Sequence, residues 1–141
     1  MVGAAICNNG SLMQPYLVAQ ERAADGSVIS QTTPKQLSQA TTPAVAAEIQ
    51  TMMVDVVQNG TGTTAQIPGV TVGGKTGTAQ HGVNNSGNPY AWFVSYAKGP
   101  DGKDIAVAVV IEASSTQRTE ISGSGLAAPI AKQMMATYLG K

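Results

Sequence analysis

Gly73-Gly74-Lys75-Thr76-Gly77-Thr78-Ala79-Gln80 gathers one cation, two hydroxyls and three glycines into a single short stretch of the chain. If this stretch is extended, side chains alternate between faces. Thr76 and Thr78 then share one side, Lys75 takes the other, and Gly77 leaves bare backbone between the hydroxyls. A peptide lying along such a strand edge would bring its carboxylate to two hydroxyl donors and a nearby ammonium. Backbone N–H groups beside Gly77 would remain to bond a carbonyl.

A rival chemistry uses overlapping residues. Gly69-Val70-Thr71-Val72-Gly73-Gly74-Lys75-Thr76 satisfies the phosphate-loop pattern letter for letter, which would make the chain a nucleotide-binding protein. A phosphate loop needs a helix beginning at its lysine, whereas Gly77, Gly82, Asn84, Asn85 and Gly87 follow closely, so the context disfavours it. Other chemistry-bearing residues have plainer readings. His81 sits in a Gly/Asn-rich loop and reads as a solvated side chain. Trp92, Phe93 and Tyr96 read as strand residues that pack a core rather than a stacking platform. Met52, Met53, Met134 and Met135 read as helix faces, and Cys7 as a small buried hydrophobe.

The elements that must hold Lys75 to Thr78 can be read from patterning. Val70 to Ala79 is expected as a strand, its three glycines implying close approach by neighbours. Ala91 to Ala97 and Ile105 to Ala113 are two further strands, joined through Gly99-Pro100-Asp101-Gly102 into an antiparallel hairpin. Ile105 to Ile111 lacks polar alternation, which predicts a strand in mid-sheet, covered on both faces. Thr42-Pro43 starts a helix with a hydroxyl cap and a proline in its first turn. Val45, Ile49, Met52, Met53 and Val56 then recur at helical spacing up to Asn59-Gly60. Gly60 to Thr64 reads as a flexible loop. Leu126 to Leu139 is a second helix, with Ile130, Met134 and Tyr138 as its apolar row and Gly140 as its stop.

Upstream, Leu12 to Gln20 and Val28 to Thr32 flank an Asp25-Gly26 turn and predict a peripheral hairpin. Val2 to Cys7 reads as the last turns of a helix capped at Asn8-Asn9-Gly10, so the chain is expected to begin partway through a larger domain. The whole describes an α+β fold, an antiparallel sheet flanked by helices.

Composition narrows the function classes. Apolar residues make up 43% and charged residues 11% of the 141 positions, a globular rather than disordered balance. Eight basic against eight acidic residues, without a Lys/Arg cluster, argue against nucleic acid as a partner. One cysteine cannot form an intrachain disulfide, a zinc cluster or a redox pair, and the sequence calls for no metal or cofactor. The longest clean apolar run, Ile105 to Ile111, is far short of the roughly 20 residues that span a bilayer.

Lys75-Thr76-Gly77 resembles the Lys-Thr-Gly signature of penicillin-binding proteins and serine β-lactamases. The resemblance covers essentially the whole chain. Asn8 to Leu17, Gly60-Thr61-Gly62-Thr63, Ala91 to Ala97 and Ala127-Ala128-Pro129-Ile130 are similar to successive segments of class B transpeptidases. It implies that residues 1–141 are the C-terminal portion of a transpeptidase domain, with part of the penicillin-binding and serine β-lactamase-like fold. It also implies an extracytoplasmic enzyme, anchored by a segment outside this chain, that binds β-lactams and cross-links peptidoglycan stem peptides by serine acyl transfer. Carried over, Lys75 would supply positive charge to the polar network, and Thr76 and Thr78 would bind the substrate carboxylate beside Gly77. The Thr78 backbone N–H would be half of the oxyanion hole.

The family places Ser-x-x-Lys first, Ser-x-Asn second and Lys-Thr-Gly last, and neither earlier motif occurs upstream of Lys75. Ser95-Tyr96-Ala97-Lys98 and Ser86-Gly87-Asn88 match only as strings. The chain alone is therefore expected to be inactive, to need the N-terminal half of its domain as a partner, and to self-associate through an open sheet edge. A β-lactamase or β-lactam-sensor fragment of the same superfamily is the alternative.

Overall fold

The computed structural model describes residues 1–112 and 117–141. A three-stranded antiparallel sheet stands at its centre, ordered β5 (Thr71–Ala79), β6 (Tyr90–Lys98), β7 (Asp104–Ile111). The predicted end of the last strand at Ala113 lies outside the described residues. One face of the sheet carries Val72, Phe93, Ala97 and Val107 and packs against α3 (Ala128–Leu139) and Val57. The other carries Tyr96 and packs against α1 (Val2–Cys7) and α2 (Pro43–Gln58) through Cys7, Met53 and Ile49.

Two adjacent glycines let both faces close. A Cβ on Gly73 would lie 2.4 Å from the Tyr96 ring, and one on Gly74 would lie 2.4 Å from the Phe93 ring. Because neighbouring strand residues face opposite ways, each glycine admits one aromatic ring of β6. Tyr96 and Phe93 are thereby fully buried, and β5 is held in register immediately before Lys75.

Helix α2 begins as its sequence predicts: the Thr42 hydroxyl accepts from the Val45 N–H, with Pro43 in the first turn. Its buried stripe, however, is Ala46, Met53 and Val57, while Val45 and Met52 are exposed. Gln50 ties three elements together. Its amide donates to the Ile6 carbonyl at 2.7 Å, its side-chain oxygen accepts from Lys98 at 2.8 Å, and its carbonyl accepts from the Tyr96 hydroxyl at 3.2 Å. Burial in this packing pushes the Cys7 thiol up to about 11 and the Tyr96 phenol up to about 12.

Several expectations need correction. The row Ile130, Met134, Tyr138 faces outward, and α3 buries Ala128, Ala131 and Met135 instead. Phe93 and Val107 already fill much of the space above the sheet, so the helix approaches with two alanines and one unbranched, adaptable methionine. Among the described residues strand β7 pairs only with β6, at the edge of the sheet rather than in its middle, and Ala106, Ala108 and Val110 on its second face are exposed. The predicted strand Leu12 to Gln20 is interrupted at Pro15, which has no N–H to give a ladder. Ser11–Met13 (β1) pairs with Gln36–Gln39 (β4), and only Gln20–Arg22 (β2) joins Val28–Gln31 (β3) around the Asp25-Gly26 turn. That hairpin is peripheral, as its polar composition suggests, and β4 has no clear signal in the sequence.

Candidate active-site strand

Strand β5 presents Lys75, Thr76, Gly77 and Thr78 opposite Val94, Phe93, Trp92 and Ala91 of β6. Thr76 and Thr78 thus share a face and Lys75 and Gly77 the other, as the sequence predicts. Strand β6 is the only strand paired with β5 among the described residues, so the outer edge of β5 has no ladder partner. Lys75 and Thr78 are exposed, and Thr76 and Gly77 are half-buried. The phosphate-loop reading fails here, because Lys75 lies in the middle of a nine-residue strand and no helix starts at it.

Lys75 Nζ donates to the Thr76 carbonyl at 2.7 Å. Lys75 also lines an open cleft of about 450 Å³ between α1, α2 and the sheet, with Ile6, Ile49, Met52, Val56 and Val94 among its walls.

Two segments far away in sequence brace the strand. The turn Gly60 to Thr64 is pinned to α2 rather than loose. The Gly62 N–H donates to the Val56 carbonyl at 2.9 Å, and a Cβ on Gly60 or Gly62 would crowd the Val56 backbone at 3.0 to 3.1 Å. From this mount the Thr61 and Thr76 hydroxyl oxygens meet at 2.7 Å, and the Thr64 hydroxyl donates to the Ser124 carbonyl at 2.8 Å. The second brace is the wide helical turn Gly123–Ala127 ahead of α3. A Cβ on Gly123 would lie 2.1 Å from the Trp92 carbonyl oxygen and 2.9 Å from both N and O of Gly77. Backbone therefore lies directly on backbone at the glycine between the two threonines.

Beyond Thr78 the chain enters the β5–β6 loop. The His81 ring stacks on Tyr90 with centroids 4.2 Å apart, and His81 Nε2 bonds the Asn88 carbonyl oxygen at 2.6 Å, so its contacts are those of a loop residue. Arg118 clasps this loop. Its guanidinium donates to the carbonyls of Asn85 and Gly87 and, at 2.7 Å, to the Gln80 side chain. Sequence reasoning names Thr61 only within the family-like run Gly60 to Thr63, and names neither Gly123 nor Arg118. The glycine-flanked Thr61 carried a weak signal, and the other two carried none. Ser95 and Lys98 sit on opposite sides of β6. Ser95 is fully buried and donates to the Val107 carbonyl at 3.3 Å, so the pair cannot act as a serine–lysine motif. Trp92 is 44% exposed, against the expectation that it packs a core.

Comparison with known proteins gives a consistent result. A family model described as the penicillin binding protein transpeptidase domain matches residues 2–136. The peptidoglycan D,D-transpeptidase PbpA of Mycolicibacterium smegmatis is 40% identical over 139 residues, 98% of this chain and 28% of the relative. The crystal structure of PBPA from Mycobacterium tuberculosis superimposes with a TM-score of 0.82 at 35% identity, covering 99% of this chain and 33% of that one. The ceftriaxone acyl-enzyme complex of the same protein gives a TM-score of 0.85 at 34% identity, covering 99% of this chain and 31% of that one. The chain thus spans less than a third of the length of the PbpA relatives it matches.

Proposed function

Since this chain belongs to the penicillin-binding-protein transpeptidase family, we propose that it supplies the Lys-Thr-Gly wall of a serine D,D-transpeptidase active site. Residues 1–141 are the C-terminal portion of that domain. The nucleophilic serine belongs to a portion outside these residues, which completes the site. The full enzyme works at the extracytoplasmic face of the cell membrane, held by an anchor that also lies outside them. No helix among the described residues is long and apolar enough to cross a membrane.

In the reaction, the serine oxygen attacks the penultimate carbonyl carbon of a stem peptide ending in D-alanyl-D-alanine. The C–N bond breaks, terminal D-alanine leaves as the amine with the proton lost by the serine, and an acyl-enzyme remains. The amine of a second stem peptide then attacks that ester, forming the cross-link and returning a proton to the serine. A β-lactam takes the donor's place in the first step. Thr76 and Thr78 hold the donor's terminal carboxylate by charge-assisted hydrogen bonds. The Thr78 N–H donates to the oxyanion, a contribution of about 2.7 to 4 kcal/mol for one such donor. Lys75 supplies positive charge beside the reacting groups.

The observation that carries this reading is the edge strand itself, with two threonines on one face, Gly77 between them and, among the described residues, no partner strand outside. Its test is covalent labelling by a fluorescent penicillin. The 141-residue chain alone should stay unlabelled, while the complete domain should label stoichiometrically, with Lys75→Ala sharply slowing acylation. Labelling of the isolated chain, or an unchanged rate in K75A, overturns the assignment.

A further inference from the structure

We propose that Thr61 is a positioning residue for substrate recognition, acting through the hydroxyl of Thr76. The inference rests on the proposed role of Thr76 as a carboxylate donor. The two hydroxyl oxygens are 2.7 Å apart, an ordinary O–H···O distance. Each hydroxyl owns a single proton. One of the two protons is spent on the bond between them, and the other is free for a ligand.

If Thr76 is to donate to a carboxylate, it cannot also donate to Thr61. Thr61 must then be the donor of the pair and Thr76 the acceptor. That arrangement orients the Thr76 proton away from Thr61, toward the ligand. It also polarises the Thr76 O–H, since a hydroxyl that accepts becomes a better donor. Without Thr61, the Thr76 rotor is free to turn its proton elsewhere, for example to water.

The mount suits this task. Thr61 lies between Gly60 and Gly62, both pressed against the Val56 backbone, so its hydroxyl is carried by the end of α2 rather than by a free loop. Thr64, three residues on, fastens the same turn to Ser124 beside Gly123 and Gly77. One turn therefore reaches the strand at Thr76 and its brace near Gly77. Thr61 is itself exposed, so replacing its hydroxyl with a methyl group disturbs no core.

The experiment compares acylation of the complete transpeptidase domain by a penicillin and by the methyl ester of the same penicillin, which lacks the anionic carboxylate. Thr61→Val should slow acylation by the free acid about tenfold or more, the scale of a lost hydrogen bond to a charged group. It should leave the ester within threefold of wild type, and Thr61→Ser should restore the acid rate. Equal losses on acid and ester, or no loss with the acid, overturn the inference. Thr61→Ala has the same expected pattern and keeps the test available should the valine variant misfold. Thr76→Val separates the two levels of the argument. If it abolishes the preference for the acid while Thr61→Val preserves it, the Thr61 inference alone fails. If Thr76→Val leaves the preference intact, the carboxylate role of Thr76 fails with it.

Discussion

The contact between Gly123 and Gly77 makes a demanding prediction, because it joins a turn with no chemistry of its own to the centre of the proposed active-site strand. In Gly123→Ala the new methyl carbon would start 2.1 Å from the Trp92 carbonyl oxygen and 2.9 Å from N and O of Gly77. A carbon needs about 3.3 Å from a carbonyl oxygen even in a favourable C–H···O contact. The two backbones must therefore part by about 1 Å, and neither can yield by rotating a side chain. Overpacking of this kind costs on the order of 1 to 3 kcal/mol of stability. Misplacing catalytic groups by about 1 Å can cost a hundredfold in rate, equivalent to roughly 2.7 kcal/mol of activation free energy. Acylation of the complete domain by a fluorescent penicillin should accordingly fall about a hundredfold in G123A. Gly125→Ala is the control. It lies in the same turn, and its Cβ would meet only the Ser122 hydroxyl at 3.1 Å and the Glu120 carbonyl oxygen at 3.8 Å. It should acylate within a few-fold of wild type. A folded G123A protein, verified by thermal melting, that acylates within threefold of wild type would refute the claim that this contact sets the position of β5.

Three further outcomes are expected. Arg118→Ala removes the clasp on Gln80, Asn85 and Gly87, and should raise amide hydrogen exchange across residues 82–88 at least tenfold while leaving the α2 amides unchanged. Alkaline stability should fall. The Cys7 and Tyr96 groups hold their protons in the folded protein up to about 11 and about 12, above their ordinary values of 9.0 and 10.0. Once the unfolded chain begins to release these protons, rising pH favours unfolding. Urea midpoints should drop from about pH 9 upward, and Cys7→Ala should remove the earlier part of that drop; a flat profile in the parent chain would contradict the burial argument. Finally, among the described residues the outer edge of β7 has no partner strand, and Val110 is exposed, so the isolated chain should self-associate with rising concentration. Val110→Lys should reduce this in light scattering, as charge protects a strand edge.

The residues proposed to carry chemistry were legible because their signal is local. Lys75, Thr76, Gly77 and Thr78 declare a strand with a polar face through alternation alone, and Thr42-Pro43 declares a helix start through the cap and the first-turn proline. Turn chemistry was equally direct, with Gly26 and Gly102 both at positive φ where the sequence placed turns. Local periodicity could not decide which apolar residues are buried. Ile130, Met134 and Tyr138 are as well spaced as any core row, yet α3 turns Ala128, Ala131 and Met135 inward because the sheet beneath already carries Phe93 and Val107. Likewise Ile105 to Ile111 contains nothing but apolar residues, and only the packing of the folded chain reveals that Ala106, Ala108 and Val110 on one face are left exposed.

The sequence by itself determined the chemical kind of the proposed site, since cation, hydroxyls and glycine follow one another along a single strand and need no fold to be recognised. Only the tertiary structure decided what holds that strand in place. Thr61 reaches Thr76 across fifteen positions and Gly123 reaches Gly77 across forty-six. Contacts at such separations depend on how elements pack, and neither a pattern of residues nor a propensity encodes them one segment at a time.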